Sequence, residues 1–293
     1  MKPRPFGYVR PESVAEALAA LATPDLEAKV LAGGQSLVPL MSIRLAAPDL
    51  LVDINHLTEL SYVMVADGQV RVGALARHAE VLASPAAAAA QPLLRQALRF
   101  VAHPAIRNRG TTVGSIVHAD PAGEMPAVLA LLGGTVSVAS TAGQRLIPAA
   151  QFFLGPLESA VQPGELATEV QFPVLAGPGT GTGFAEISRR RGDYAVCGVG
   201  ALAWLAADGT IGGAKAAYLS VGPSPVVLDL TEAVTGLAAE SARFPAAASL
   251  ARATLEPGSD IHATAGYRRQ LAAVLTERAL VEALARARET MDA

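Results

Sequence analysis

The sequence predicts an α+β fold in two parts, from three observations. Short apolar runs alternate with helical stretches through the first 175 or so residues. Two glycine-rich segments, AGGQSLVPL at 32–40 and GTTVGSIVHADPAGE at 110–124, interrupt them. The stretch PVLAGPGTGTG at 173–183 then shifts the composition and marks a boundary near residue 175.

The elements follow in order. Ser13 to Leu21 reads as a helix, because Ser13 and Glu16 have capping-box spacing and Val14, Ala17, Leu18 and Leu21 share one side. Lys29 to Ala32 reads as a strand ending at Gly33-Gly34. Val38 to Leu45 reads as a helical turn or two whose start Pro39 limits, and Leu50 to Ile54 as a second strand. Strand, glycine turn, helix and strand make a small α/β unit. Asp67-Gly68 between Val63–Ala66 and Gln69–Val72 signals a hairpin. Ala86 to Ala102 reads as a helix interrupted at Pro92. Pro126 to Leu132 reads as a buried helix, followed by paired strands Thr135–Ala139 and Gly143–Ile147. Beyond the boundary come strand-like Gly183–Ser188, an apolar segment Tyr194–Leu205, a turn at Asp208-Gly209 and a strand Ala214–Ser220. Residues 245–256 and 267–288 read as helices. Leu271, Val274, Leu275, Leu280, Val281 and Leu284 are the expected apolar contacts of the last one.

Composition narrows the function classes. Hydrophobic residues make up 51% of the 293 and aromatics only 4%, so the core is built from Ala, Val and Leu. A net charge of -3 argues against a nucleic-acid partner, which calls for a concentrated basic face. The single cysteine, Cys197, excludes an internal disulfide and any multi-cysteine iron–sulfur or zinc site supplied by this chain alone. It sits in an apolar run and reads as a small buried hydrophobe. MKPRPFGYVRPES at the N-terminus lacks an apolar signal-peptide core, and no run has 18 clean apolar residues. A cytoplasmic protein without a transmembrane segment is expected.

The glycine segments carry the functional signal. Gly33-Gly34 after a strand permits positive φ and close approach of a ligand. Successive N–H groups there, with the Ser36 hydroxyl and the Gln35 amide, suit one side of a pyrophosphate. A tight turn without ligand satisfies the same residues. In the second segment Gly110, Thr111, Thr112, Gly114 and Ser115 offer small residues and hydroxyls, and His118 and Asp120 can both hydrogen-bond a ligand. Asp120 can also cap a helix beginning near Pro121. Other nucleotide signatures are missing. There is no GxxxxGK[ST], and the loose match Gly198 to Ala203 lacks the acid about 20 residues later, so it reads as strand packing.

AGGQSL together with RNRGTTVGSIVHADPAGE resembles the FAD-binding medium subunit of the molybdenum hydroxylases. That family includes carbon monoxide dehydrogenase, nicotine and quinoline-type hydroxylases and the middle portion of xanthine dehydrogenase. The resemblance runs from Phe6-Gly7-Tyr8 through LVDINHL at 51–57 and VGALARHAEV at 72–81. It continues to RRRGDYAVCGVGA at 189–201 and YRRQLAAVLTERAL at 267–280. It implies a vanillyl-alcohol-oxidase-like FAD-binding domain of two lobes, 1–56 and 57–175. A C-terminal domain of antiparallel sheet and helices, 176–293, follows. It places Ala32, Gly33, Gly34, Gln35, Ser36 and Leu37 in the first pyrophosphate motif and Thr111, Gly114 and Ser115 in the second. His118 lies within that motif, Asp120 matches an acid making adenosine-side and dinucleotide contacts, and Tyr194 falls where some relatives place an aromatic near the flavin ring.

The resemblance also implies partners: a small subunit with [2Fe–2S] clusters and a large molybdopterin subunit, in a dimer of heterotrimers. Electrons from a substrate hydroxylated at molybdenum reach FAD through the clusters and leave to an external acceptor, so this chain needs no acid–base constellation for substrate turnover. Of the five histidines, His56 and His78 read as structural or surface residues and His103 as part of a turn. Arg189 to Arg191 read as a solvated face, a flavin-edge contact or a docking site. The competing functions are a self-contained FAD oxidoreductase and a FAD-free structural or assembly subunit. The second draws on one departure. Val113 stands where the family motif has the first glycine of a pair, and valine tolerates positive φ poorly. Either Val113 adopts ordinary φ with its side chain turned away, which is the expectation, or the pocket is altered.

Overall fold

A computed structural model describes residues 2–291. Its first unit places β1 (Gly7–Val9), α1 (Val14–Leu21), β2 (Ala28–Leu31), α2 (Leu37–Ser42) and β3 (Leu50–Asp53) in a three-stranded parallel sheet of order β1-β3-β2. Ser13 caps α1 by accepting from Glu16 N–H. Glu16 returns the bond to Glu12 N–H rather than to Ser13, so half of the expected capping box forms. The glycine segment lies between β2 and α2, at the carboxyl end of the parallel strands.

The second unit begins with the hairpin β4 (Val63–Ala66) and β5 (Gln69–Gly73), turned by Asp67 at φ 52° and Gly68 at φ 71°. Six helices follow: α3 (His78–Ala83), α4 (Pro85–Ala90), α5 (Pro92–Leu98), α6 (Pro104–Arg107), α7 (Thr112–His118) and α8 (Glu124–Leu132). The break between α4 and α5 falls at Pro92 as expected. The chain then forms β6 (Thr135–Ser140), β7 (Gly143–Pro148), a small pair β8 (Phe153–Gly155) and β9 (Glu158–Ser159), and β10 (Leu166–Pro173). The antiparallel sheet has the order β4-β5-β10-β6-β7, so β10 joins the early hairpin to the later one.

The last unit is an antiparallel sheet of β11 (Thr180–Ser188), β12 (Ala195–Leu205), β13 (Ile211–Leu219) and β14 (Val226–Asp229), followed by α9 (Thr231–Val234), α10 (Pro245–Thr254) and α11 (Ala265–Met291). One sheet face packs on α8 and joins the core of the first two units through Phe184, Ala217 and Leu219. The other packs on α10 and α11 in a second core. Cover on both faces explains the unbroken apolar run of β12, and Cys197 is fully buried within it.

Two expectations fail here. The strand expected from Gly183 begins earlier, at Thr180, so Gly181 joins Gly183 in β11 and both lie against α11. A Cβ on Gly181 or Gly183 would run into the Ala283 or Ala279 carbonyl oxygen, so helix backbone rests on strand backbone. The seam of α11 is therefore made of small residues, Ala272, Ala279, Ala283 and Ala287, with Leu275, Leu280 and Leu284. Val274 and Val281, expected inside, are 39% and 38% exposed. Among the described residues no helix is long and apolar enough to cross a membrane.

Candidate functional site

The two glycine segments meet backbone to backbone. A Cβ on Gly33 would stand 2.5 Å from Arg109 O and 2.7 Å from Gly110 Cα, so only glycine allows this approach. Gly34 takes φ 69°. Among the described residues, the N–H groups of Gly33, Gly34, Gln35 and Ser36 meet no protein acceptor, and the Ser36 hydroxyl makes no capping bond to α2. Gln35 Nε2 is occupied by Gly33 O at 2.9 Å. Ala32 lends its carbonyl to Asn55 Nδ2 at 2.9 Å, and Leu37 opens α2.

The second segment is mostly helix. Thr111 caps α7, its Oγ1 accepting from Gly114 N–H at 3.1 Å, and a Cβ on Gly114 would stand 2.6 Å from that oxygen. Gly114 is exposed and Ser115 half-buried. Val113 adopts helical φ with its side chain 2% exposed in the core. The position absorbs a valine because it is helical and its side chain packs into the core. Thr112 faces inward too, 3.1 Å from Nδ1 of the buried His78. Burial, helped by the Arg107 charge, pushes His78 down to about 4, so the imidazole is neutral at ordinary pH. Its backbone N–H donates to Gly110 O at 2.9 Å. His78 thus holds the second segment from behind.

At the far end of α7, His118 is half-buried, and burial lowers its pKa against the opposing charge of Asp120. Ala119 takes φ 53°, turning the chain out of the helix. Asp120 does not cap α8. Its Oδ1 accepts from Ala122 N–H at 2.8 Å in a tight turn, and the helix starts later, after Gly123. Tyr194, 69% exposed, shares the electrostatic neighbourhood of Asp120 and Glu124. Glu124, the first residue of α8, and Glu186 of β11 complete the cluster. Burial raises both carboxyls, and the charge of Glu124 raises Glu186 further. Among the described residues Glu186 Oε2 is buried without a hydrogen-bond partner.

The predicted residues therefore form two groups. Residues 32–37 with 110–115 make one, and His118, Asp120 and Tyr194 the other, separated by α7, which spans about 10 Å. Arg189 to Arg191 stay exposed, with Arg189 Nη1 3.3 Å from His262 Nδ1. Behind them Gly192, at φ 80°, lies against the His103 ring, tying the last unit to the second. Sequence reasoning did not single out Asn55, Arg77, Glu124 or Glu186. Asn55 and Arg77 stood inside the quoted motifs, but nothing local revealed their partners.

The donor set fits a dinucleotide diphosphate: a row of unpaired N–H groups, two hydroxyls and a backbone surface cleared of side chains. The family described as FAD binding domain in molybdopterin dehydrogenase matches residues 4–175, and the CO dehydrogenase flavoprotein C-terminal domain matches residues 182–283. The chain belongs to the FAD-binding medium-subunit family of the molybdenum hydroxylases. Among its relatives in that family is the 6-hydroxypseudooxynicotine dehydrogenase complex subunit alpha of Paenarthrobacter nicotinovorans. The two are 40% identical over 100% of this chain and 99% of that one. The glyceraldehyde dehydrogenase medium chain of Sulfolobus acidocaldarius is 38% identical over 96% and 99%. A solved carbon monoxide dehydrogenase from Hydrogenophaga pseudoflava superposes with a TM-score of 0.90 at 35% identity, covering 98% of this chain and 99% of that one. Quinoline 2-oxidoreductase from Pseudomonas putida gives 0.91 at 35%, covering 98% and 100%. The vanillyl-alcohol-oxidase-like architecture expected from the sequence is the fold of these neighbours.

Proposed function

We propose that this medium subunit carries FAD and passes electrons from [2Fe–2S] clusters of a small partner subunit to an external acceptor. Molybdopterin resides on a large partner subunit, and the assembly is a dimer of heterotrimers in the cytoplasm. Residues 1–56 and 57–175 act as the two FAD-binding lobes and 176–293 as the C-terminal domain. The observation that carries the reading is the backbone-to-backbone meeting of Gly33 with Arg109-Gly110 beside unpaired N–H groups. Ala32 to Leu37 hold the pyrophosphate through free N–H groups and the Ser36 hydroxyl, Thr111 and Ser115 add hydroxyls, and Gly114, without a side chain, leaves room for close approach. His118, Asp120 and Tyr194 contact more distant parts of the cofactor. When bound, FAD supplies the redox chemistry of the transfer, while the chain's own residues bind and orient it.

The single cysteine supports placing the clusters on another chain. The ordinary φ and buried side chain of Val113 remove the main support for a FAD-free subunit. Gentle purification of the tagged chain from its native host, with mass identification of co-purifying chains and an absorption spectrum, tests the reading. Flavin and iron–sulfur absorption with two partner chains is the expected result. Turnover by a solitary flavin-bearing chain, or an intact complex without extractable FAD, overturns it.

A further inference from the structure

One side chain spans the gap between the two glycine segments without belonging to either. Arg77 is half-buried just before α3. Its Nη1 donates to Arg109 O at 2.7 Å, and that is the carbonyl against which Gly33 packs. Its Nη2 donates to Asn55 Oδ1 at 2.7 Å. Asn55 Nδ2 in turn donates to Ala32 O at 2.9 Å and to Asp53 Oδ1 at 2.6 Å. Asp53 is fixed from its other oxygen by the Tyr8 hydroxyl at 2.5 Å. A continuous path thus runs from the Ala32 carbonyl through Asn55 and Arg77 to the Arg109 carbonyl. It bridges β2 to the start of the second motif by side chains alone.

This geometry is unusual for a surface arginine. Among the described residues Arg77 has no carboxylate within ion-pair distance, and both its mapped side-chain partners are neutral oxygens. Burial lowers its pKa, with Glu80 opposing and Arg109 adding to the effect. A charged group placed against these terms is held by its planar fork, which reaches two acceptors in fixed directions. Lysine has no such fork. The backbone supports the same junction, since Glu80 Oε2 accepts from Arg77 N–H at 2.7 Å and the backbone at Arg77 pairs antiparallel with that at Thr111.

We propose that Arg77, acting through Asn55, is a positioning residue that sets the spacing of the two glycine segments and hence the geometry of the diphosphate pocket. The inference rests on the FAD reading given above and deepens it. Arg77 acts through carbonyl groups, leaving the N–H donors of Gly33, Gly34, Gln35 and Ser36 free for the ligand.

The test uses the full chain stripped of flavin and titrated with FAD, followed by fluorescence quenching and by the visible circular dichroism of bound flavin. ADP serves as a second probe that carries the diphosphate without the flavin ring. A wild-type chain that binds no FAD refutes the FAD reading itself. If it binds, Arg77→Met is expected to weaken both FAD and ADP roughly 10- to 100-fold and to change the dichroism of bound flavin. Arg77→Lys, which reaches one acceptor at a time, falls between. Asn55→Leu gives a similar loss, and the double variant is little weaker than the worse single one, because both sit on one path. Thermal melts of the flavin-free variants identify those that fold, and Arg77→Lys carries the test if Arg77→Met does not. FAD and ADP affinities within about 2-fold of wild type in a folded variant, or additive losses in the double variant, overturn the proposal.

Discussion

Acidification should loosen the second glycine segment by way of His78. The imidazole is buried and neutral, packed against Gly110 and 3.1 Å from Thr112 Oγ1. Its pKa is pushed from 6.5 to about 4 by burial and the Arg107 charge. A depressed histidine pKa means the unfolded chain binds the extra proton first. The stabilisation is therefore present above about pH 6.5 and is lost as pH falls through the folded value near 4. At about 1.4 kcal/mol per unit, the full shift is worth about 3 kcal/mol, of which about 2 is already lost at pH 5. That lowers the melting midpoint of a chain this size by about 3 °C. The assay is a melt of the flavin-free chain at pH 7 and pH 5, wild type beside His78→Gln. Glutamine keeps a polar partner for Thr112 but cannot titrate. Carboxylates elsewhere titrate equally in both proteins, so the difference in slope isolates His78. The wild type should lose about 3 °C more than the variant. Parallel losses would refute the reasoning.

Four further outcomes follow from the packing. Gly33→Ala forces a Cβ against Arg109 O and Gly110 Cα, and should abolish measurable FAD binding by equilibrium dialysis while the far-ultraviolet dichroism stays native. Gly183→Ala drives α11 off β11 and should destabilise by about 2 kcal/mol or more in urea unfolding; an unchanged midpoint would contradict the seam. Val113→Gly restores the family glycine but empties a core position within α7. It should lose about 3 kcal/mol without tightening FAD, and a clear gain in affinity would count against a valine packed in the core. Burial raises the Glu186 carboxyl, and the Glu124 charge raises it further. The native state then holds protons the unfolded chain has released, so this contribution fades as pH rises from about 4.5 through the folded pKa. Glu186→Gln should flatten the alkaline fall in stability by about 1–3 kcal/mol at pH 9. An identical alkaline profile would remove the buried carboxyl from the account.

The parts of the fold that could be read from the sequence are those whose causes are local. The Asp67-Gly68 turn, the Ser13 cap and the Pro92 break each depend on a few adjacent residues. β10 was not legible, because its buried Glu169 interrupts the apolar pattern. Glu169 is tolerated there only because Tyr62 and Arg71, 107 and 98 residues away, hydrogen-bond it at 2.6 and 2.8 Å. Gly181 looked like part of the boundary stretch and Gly183 like no more than the start of a strand, because composition alone does not separate a flexible turn from close packing, and the helix that requires them comes about 100 residues later. In the site, the glycine segments were visible as motifs. Their meeting was not, since it depends on Gly33 touching Arg109 across 76 residues of chain. Arg77 and Asn55 escaped for the same reason: their role lies in the carbonyls they join.

The most direct test of the central claim is titration of the flavin-free chain with FAD by calorimetry. The account predicts one FAD bound per chain, with binding lost in Gly33→Ala and ADP competing for the same site. A folded chain that takes up no FAD, or one whose FAD binding is indifferent to Gly33→Ala, would contradict it.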